Sequence, residues 1–180
     1  MLRMRIVLIL GLSLPFAGAQ AVEELKPGLI GEYYDLGEEL NDFPNVKGMT
    51  PTLRRIDADV NLQQTNGQFN KSGLILHFYV RWTGVIRIPK DGRYMFYTES
   101  DDGSRLSIDG KLVVDNGGLH VPEEKNGEVE LKAGAHEIRI DFFQATGGAS
   151  CKAKWAGDDF KTEILPARLL FHKKDKELDR

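Results

Sequence analysis

Cysteine is nearly absent from this 180-residue sequence, which contains only Cys151. One cysteine cannot form an intrachain disulfide, so packing rather than cross-linking must stabilise the fold. Cys151 lies in the run of residues 149–155, where small and apolar residues alternate with polar and charged ones. We therefore expect a buried core side chain, because a nucleophilic cysteine needs a histidine partner and an electropositive setting.

Histidine is also scarce, and no two of the four histidines have the spacing of zinc ligands. We expect His77 on the polar face of a strand and His136 at a packed position or a strand end. His120 follows Gly117 and Gly118 in a predicted loop, where it either lines a site or makes a structural hydrogen bond. The sequence predicts no zinc centre.

Basic clusters are missing as well, since 24 Lys and Arg residues face 27 Asp and Glu residues for a formal net charge of −3. Binding to a phosphate backbone depends on clustered lysine and arginine, so the charge balance argues against nucleic acid as a partner. No nucleophile is paired with a base in the sequence, so we expect no enzymatic activity.

Long hydrophobic runs are limited to one short segment near the amino terminus. Arg3 and Arg5 precede an apolar run at residues 6–16, and small residues follow at 17–21. This order is typical of a secretory signal peptide, which we assign to residues 1–21. An apolar run of about eleven residues is too short for a bilayer, which takes roughly 20. We expect export to the outside, the periplasm or the cell envelope, without a membrane span.

Helical periodicity is weak, whereas alternating apolar and polar residues recur along the chain. Many short strands separated by turn residues indicate an all-β, antiparallel β-sandwich of jelly-roll type, in a single domain after the signal peptide. Residues 35–73 are rich in Gly, Pro, Asn and Asp, and we expect mostly loops there. The predicted strands are residues 29–34, 74–82, 85–88, 94–99, 106–108, 112–114, 129–131, 136–143 and 149–155.

Three turns and a tail complete the predicted organisation. Asp109-Gly110 is a strong signal for a two-residue hairpin. Residues 132–135 are interpreted as the turn of another hairpin, and residues 89–92 as a turn between two strands. The mixed-charge run at 172–180 is expected to be solvated or frayed, so residues 173–180 are assigned as a charged tail.

Asp101 and Asp102 are adjacent carboxylates on a predicted loop between two strands. A glycosidase needs two acids about 5 to 9.5 Å apart on either side of its substrate, which neighbours on one loop rarely achieve. Calcium prefers several oxygen ligands in irregular geometry, so a cation site is the better functional interpretation. From the residues alone, a plain polar turn is an equal alternative.

Several motifs in order resemble the protective-antigen (PA-fourteen) domain, a β-sandwich module of bacterial toxins, glycosidases and fungal adhesins. Their number and order are more specific than any one of them. They cover residues 28–172, and they are Gly28-Leu29-Ile30-Gly31-Glu32-Tyr33-Tyr34, the segments at 80–89 and 91–96, Ser100-Asp101-Asp102-Gly103, Ile108-Asp109-Gly110, the segment at 131–136, Trp155 and Ile164-Leu165-Pro166.

The resemblance implies a largely non-catalytic module that is often associated with carbohydrate binding. In sugar-binding fungal members a cis-linked aspartate pair holds Ca²⁺, which in turn coordinates vicinal sugar hydroxyls, and Asp101 and Asp102 correspond to that pair. Gln144 stands where those members have an asparagine ligand. Backbone carbonyls near Thr146 and Gly148 would complete the metal site, and the expected glycan site comprises Asp101, Asp102, Gln144 and Gly148. The loop at 144–149 has no aromatic residue to stack on a sugar.

Two functions are therefore expected in this order. The first is calcium-assisted recognition of a glycan or cell-surface polysaccharide by a secreted, non-catalytic module. The alternative is a structural or protein-interaction module of the cell envelope, in which the two aspartates only stabilise their turn.

Overall fold

The structure of the chain is a computed structural model that describes residues 24–179, and the predicted signal peptide at 1–21 lies outside this range. The described chain forms thirteen β-strands and two three-residue 3-10 helices, at Phe69–Lys71 and Ala167–Leu169. The strands are Leu25–Pro27 (β1), Leu29–Asp35 (β2), Leu53–Asp57 (β3), Asn61–Thr65 (β4), Phe78–Ile88 (β5), Gly92–Asp101 (β6), Ser104–Ile108 (β7), Lys111–Asn116 (β8), Glu123–Leu131 (β9), Gly134–Gln144 (β10), Ala149–Gly157 (β11), Phe160–Ile164 (β12) and Leu170–Lys173 (β13).

The strands form two antiparallel sheets. The larger sheet has the order β1-β13-β5-β10-β7-β8, with β2 pairing both β5 and β3. The smaller sheet has the order β12-β11-β6-β9, with β4 also pairing β11. β2 and β13 share one edge of the long strand β5, β2 along its first half and β13 near its end. The predicted all-β antiparallel sandwich in a single domain is confirmed.

The core lies between the sheets and follows the predicted alternation. Phe78, Val80 and Trp82 on β5 are fully buried, as are Cys151 and Ala153 on β11. Burial raises the pKa of the Cys151 thiol far above its usual range, so the side chain stays protonated and unreactive. The prediction of Cys151 as a core residue is confirmed.

The two predicted hairpins have different outcomes. β7 and β8 pair around Asp109-Gly110, and both turn residues have the positive φ that a type I′ turn requires, +49° and +75°. The hairpin predicted for residues 129–143 is wrong, because β9 pairs with β6 in the smaller sheet and β10 with β5 and β7 in the larger one. A short connection serves either arrangement, and alternation identifies the buried face of a strand but not the sheet that it joins.

The boundaries predicted around residues 35–82 also need correction. β3 and β4 lie in the segment that was expected to be mostly loop. The strand predicted for residues 74–82 begins at Phe78, because His77 has a φ of +54° that interrupts the extended backbone. His77 therefore lies in the connection before β5 rather than on a strand face. His136 is on β10, where its ring contacts the Asp109 carboxylate at 2.6 Å.

Residues 36–52 cover part of the outer face of the larger sheet. Leu40 and Val46 from this segment pack on Tyr79 and Phe143, forming a second, smaller apolar cluster. Strand β10 is consequently buried on both faces near its end, where Phe142, Phe143 and Gln144 are all fully enclosed. This support fixes the position of the loop that follows β10.

The carboxyl-terminal segment is docked rather than frayed, although Lys173, Lys174, Lys176 and Glu177 are solvent-exposed, so the prediction for 172–180 holds only in part for the described residues. β13 pairs with β1 and β5, and the Asp175 carboxylate accepts a hydrogen bond of 2.6 Å from Arg54 on β3. The ring of buried His172 lies 3.2 Å from an Asp179 carboxylate oxygen. The charged side chains find partners on the sandwich, which sequence order alone does not reveal.

In the described chain, four connections pass between the sheets at one end of the sandwich, and residues 66–77 between β4 and β5 are one of them. The other three meet at the aspartate pair. They follow β6, β8 and β10, and they comprise residues 102–103, 117–122 and 145–148. The first carries part of the aspartate pair, the second His120 and the third the loop after Gln144. Within residues 24–179, no helix has the length and apolar character needed to cross a membrane.

Candidate functional site at the loop end of the sandwich

The aspartate pair lies where the chain leaves the smaller sheet and enters the larger one. Asp101 is the last residue of β6 and pairs with Ser150 of β11, whereas Ser104 begins β7 and pairs with Phe142 of β10. The peptide bond between Asp101 and Asp102 is cis. The side chains lie below the surface, since Asp101 is 8% exposed and Asp102 is 6% exposed.

The Asp102 carboxylate joins the three connections that follow β6, β8 and β10. One oxygen accepts a hydrogen bond of 3.1 Å from the backbone N–H of His120, and the other accepts one of 3.0 Å from the backbone N–H of Ala145. The His120 ring lies within hydrogen-bond distance of the carbonyl oxygens of Asn116 and Val121. His120 therefore lines the site through its backbone, and its ring makes the structural contacts.

Gln144 connects Asp102 to the loop after β10. Its amide oxygen accepts a hydrogen bond of 3.1 Å from the Asp102 backbone N–H, and its amide nitrogen donates one of 2.8 Å to the Thr146 carbonyl. A flipped amide would place Gln144 Nε2 against the Asp102 N–H and Gln144 Oε1 against the Thr146 carbonyl oxygen. Both contacts would be repulsive, so the two partners determine the orientation of the Gln144 amide. The structure thus brings Asp102, Gln144 and Thr146 together, and their role as metal ligands stays a prediction.

Asp101 has a partner that the sequence did not indicate. The amide nitrogen of Gln64, on β4, donates a hydrogen bond of 2.9 Å to Asp101 Oδ2. Gly148 lies under the same side chain, because a Cβ at this position would overlap the Gln64 amide nitrogen and lie 2.8 Å from Asn66 Oδ1. Gln64 and Asn66 escaped prediction because Asn61–Thr65 has no apolar alternation marking it as a strand beside β11.

The aspartate pair differs from the other buried aspartates in its charge environment. Asp57 has a salt bridge of 2.8 Å to Arg55, and Asp141 has salt bridges of 3.0 Å to Arg81 and 2.7 Å to Arg139. Among the described residues, neither Asp101 nor Asp102 forms a salt bridge; both accept hydrogen bonds only from neutral donors.

The electrostatics of Asp101 reflect this lack of a cation. Burial raises the pKa of the Asp101 carboxyl above its usual value, and the neighbouring Asp102 charge raises it further. The hydrogen bond from Gln64 and the electrostatic effect of the His120 ring lower this pKa without cancelling the other two effects. A bound cation would relieve both the burial cost and the repulsion.

The donor chemistry of the site fits calcium better than a transition metal. No group of three His, Cys, Asp or Glu side chains with metal-binding geometry occurs in residues 24–179. A metal at the pair would depend on two carboxylates and neutral oxygens, which is the ligand set of a hard cation. Each carboxylate oxygen of Asp102 uses one of about two lone pairs in its hydrogen bond, so acceptor capacity remains.

A polar groove of about 410 Å³ lies beside Gly117 and Gly118, in the connection that follows β8. Its wall at Gly118 is close to the site, because the Gly118 carbonyl oxygen lies 3.0 Å from the position that a Cβ on Gly103 would take. Charged side chains of both signs line the rest, namely Asp42, Arg105, Asp115 and Lys125. Such a lining offers donors and acceptors for the hydroxyl groups of a polar ligand.

The fold and this loop site define an antiparallel β-sandwich module that carries a buried carboxylate pair at one end. The family described as PA14 domain matches residues 25–168, and the chain belongs to this family. The family membership that the motifs predicted is confirmed.

The names of individual relatives indicate different roles. The anti-sigma-I factor RsgI3 of Acetivibrio thermocellus is 31% identical over 145 residues, covering 80% of this chain and 21% of that protein. A solved anti-sigma factor domain-containing protein is 29% identical with a TM-score of 0.71, over 83% of this chain and 48% of that one. The chain therefore spans less than half the length of these relatives.

A third similarity is to a module of comparable size. The PA14 sugar-binding domain from an RTX adhesin has a TM-score of 0.70 at 20% identity, covering 81% of this chain and 98% of that domain. At this identity the likeness shows the shared fold alone.

Proposed function

We propose that the protein is a non-catalytic carbohydrate-binding module in which Asp101 and Asp102 hold a calcium ion at the loop end of the sandwich. The observation that carries this proposal is the pair itself: two adjacent buried carboxylates that form no salt bridge with any described lysine or arginine. Buried charges in proteins are normally paired or coordinate a metal, and calcium accepts this kind of oxygen-rich site.

The chain's own residues would divide the work as follows. Asp101 and Asp102 supply the negative charge, and the backbone donors of His120 and Ala145 fix the orientation of Asp102. Gln144 connects the pair to the loop after β10 through its two hydrogen bonds. The backbone carbonyls of Thr146 and Gly148 in that loop are the further proposed oxygen ligands. When bound, calcium would supply a Lewis-acidic centre for sugar hydroxyl oxygens.

The polar groove and one relative support a saccharide as the ligand. The groove is lined by Asp42, Arg105, Asp115 and Lys125, whose planar or charged groups suit hydroxyl-rich molecules. The RTX adhesin domain with the same fold carries sugar binding in its name. Export to the outside, the periplasm or the cell envelope belongs to the same proposal.

A second candidate function follows from the anti-sigma factor relatives, which share 31% and 29% identity with the chain. In this alternative the module serves a larger signalling or envelope assembly through a protein partner, and the aspartates stabilise their turn without a metal. The names of those relatives favour this alternative. The parts of those proteins that the chain does not match could hold other domains that determine their roles.

A glycan array probed with calcium and with a chelator separates the two functions. The wild-type protein is expected to bind a subset of glycans only in calcium, and Asp102→Ala is expected to lose that binding. Asp158→Ala is the matched control, because Asp158 is a solvent-exposed aspartate in the β11–β12 turn at the opposite end of the sandwich. Absence of glycan binding in both conditions, with a protein partner retained, would favour the second candidate.

A further inference from the structure

Gln64 reaches the aspartate pair because of an irregularity in the β4–β11 pairing. Leu62 pairs with Cys151 and Thr65 with Ala149, so three steps along β4 match only two along β11. An extra residue of this kind is a β-bulge, which redirects a side chain away from simple alternation. In the bulged segment Gln64 directs its amide nitrogen to Asp101 Oδ2, at 2.9 Å.

Gly148 provides the space that this side chain needs. A Cβ on Gly148 would overlap the Gln64 amide nitrogen, and the clash would fall on the far end of a flexible side chain rather than on backbone. Gly148 also lacks the positive φ of its neighbour Gly147, at +82°, so alanine is sterically acceptable for its backbone. An alanine at position 148 would therefore displace the side-chain ends of Gln64 and Asn66 without moving the backbone.

The amide nitrogen that Gln64 presents cannot ligate a cation. An amide NH₂ is a donor only, and its hydrogens carry the partial positive charge that a carboxylate attracts and a metal ion repels. In the cation-free protein the hydrogen bond partly offsets the charge of Asp101 next to Asp102. The same hydrogen bond competes with any cation for the Asp101 carboxylate.

From this geometry we propose that Gln64 is a latch on the aspartate pair. Its amide occupies a lone pair of Asp101 Oδ2 while the pair holds no cation, and it competes with a cation that binds at this oxygen. The latch sets how tightly the pair binds calcium and deepens the proposed function, on which it rests. Gln64 is thus a positioning residue for Asp101, and Gly148 is the residue that admits it.

Calcium titration of the purified protein by isothermal calorimetry tests the latch. Gln64→Ala and Gly148→Ala are both expected to bind calcium about three- to tenfold more tightly than wild type, the equivalent of one net hydrogen bond released. Gln63→Ala is the matched control: Gln63 is also an exposed glutamine of β4, and its amide donates to Asn61 Oδ1 at 3.0 Å instead. It is expected to leave calcium affinity unchanged.

A double variant and a calcium-free measurement show whether Gly148 acts through Gln64. If it does, Gln64→Ala/Gly148→Ala will bind calcium no more tightly than Gln64→Ala alone, because both changes remove one interaction. In calcium-free protein, the side-chain amide NMR signals of Gln64 are expected to shift in Gly148→Ala and stay unchanged in Gln63→Ala.

The outcomes distinguish failure of the latch from failure of the calcium site. If wild type binds calcium and Gln64→Ala binds it equally or more weakly, the latch is wrong and the proposed function stands. If only the released variants bind calcium, the latch is supported and the proposed calcium-dependent function of the wild-type protein is overturned. If neither wild type nor any variant binds calcium, both proposals are overturned.

Discussion

Asp101 and Asp102 lack the arginines that accompany the other buried aspartates of the molecule. Asp57 and Asp141 each have a cationic partner within 3.0 Å, so their burial is compensated inside the chain. The pair relies on neutral donors from Gln64, His120 and Ala145. The pair therefore lacks the lysine or arginine partner that would compensate its burial, and a bound cation would take that place.

Replacing Asp101 by asparagine tests this charge imbalance without calcium. Because burial and Asp102 raise the folded-state pKa of Asp101 above the unfolded value, the folded protein takes up this proton first as the pH falls. Asp101 therefore destabilises the fold above its raised pKa, and the penalty disappears on acidification towards the unfolded value. Asp101→Asn is expected to be more stable than wild type at neutral pH in chelator, with the difference shrinking in acid.

Urea unfolding between pH 4 and pH 7 in chelator measures this difference directly. The comparison of variant with wild type isolates the Asp101–Asp102 pair, since carboxylates elsewhere in the chain are the same in both proteins. A variant less stable than wild type at neutral pH would contradict the charge argument.

Gly103 is the second residue on which the site depends. A Cβ at this position would overlap the Phe143 ring and lie 3.0 Å from the Gly118 carbonyl oxygen. Gly103→Ala is expected to destabilise the protein by about 1–3 kcal/mol through overpacking, and to weaken calcium binding by displacing Asp102. Gly67→Ala is the control, because its Cβ would lie 3.6 Å from Thr65 Oγ1 in ordinary contact. Equal stability of the two variants by urea unfolding would refute the steric argument.

At the scale of elements, the sandwich is closed where β8 of the larger sheet meets β9 of the smaller one. The two strands belong to different sheets, and a glycine marks their approach. A Cβ on Gly127 would overlap the Val113 carbonyl oxygen and lie 2.8 Å from its carbonyl carbon. Unlike the flexible end of a side chain, backbone cannot yield locally, so the two strands would have to separate.

Gly127→Ala is therefore expected to lower the free energy of unfolding by about 3 kcal/mol, at the upper end of the usual overpacking cost. Gly92→Ala on neighbouring β6 is the control, since its Cβ would lie 3.8 Å from the Tyr94 ring. Chemical denaturation of both variants measures the difference. A loss below about 0.5 kcal/mol, the usual range for surface changes, would show that the strands separate freely at this point.

The elements also show what sequence patterns can and cannot predict. Alternation correctly placed Cys151 and Trp155 in the core, because the buried face of a strand repeats every second residue. It missed β4, whose residues Asn61–Thr65 are mostly polar and owe their strand geometry to pairing with β11. It also assigned β9 and β10 to one hairpin, since sheet membership depends on tertiary packing.

The sequence likewise predicted the candidate site only in part. Adjacent aspartates after a strand, within a series of family motifs, were enough to locate Asp101, Asp102 and the Gln144 loop. Gln64 and the backbone of His120 reach the pair from segments far away in sequence, and no local pattern encodes such a contact. The hydrogen bond between Gln144 and Thr146 likewise depends on how the third loop folds back.

At the scale of the whole molecule, three loops that cross between the sheets meet at the aspartate pair, and the carboxyl-terminal segment is docked on the larger sheet. Asp102 alone contacts two of these loops, so the order of the loop end depends on one buried carboxylate. Any ligand that stabilises the pair should thus stabilise the entire domain, because binding to the folded state alone shifts the unfolding equilibrium.

Thermal unfolding of the wild-type protein in calcium and in chelator tests the calcium site most directly. At calcium concentrations about 100 times the dissociation constant, linkage predicts about 2.7 kcal/mol of added stability. For a domain of this size, that corresponds to a rise in Tm on the order of 5–10 °C. Asp101→Ala and Asp102→Ala are expected to show no rise, and Asp158→Ala the full rise. An identical Tm for wild type in calcium and in chelator would contradict the account.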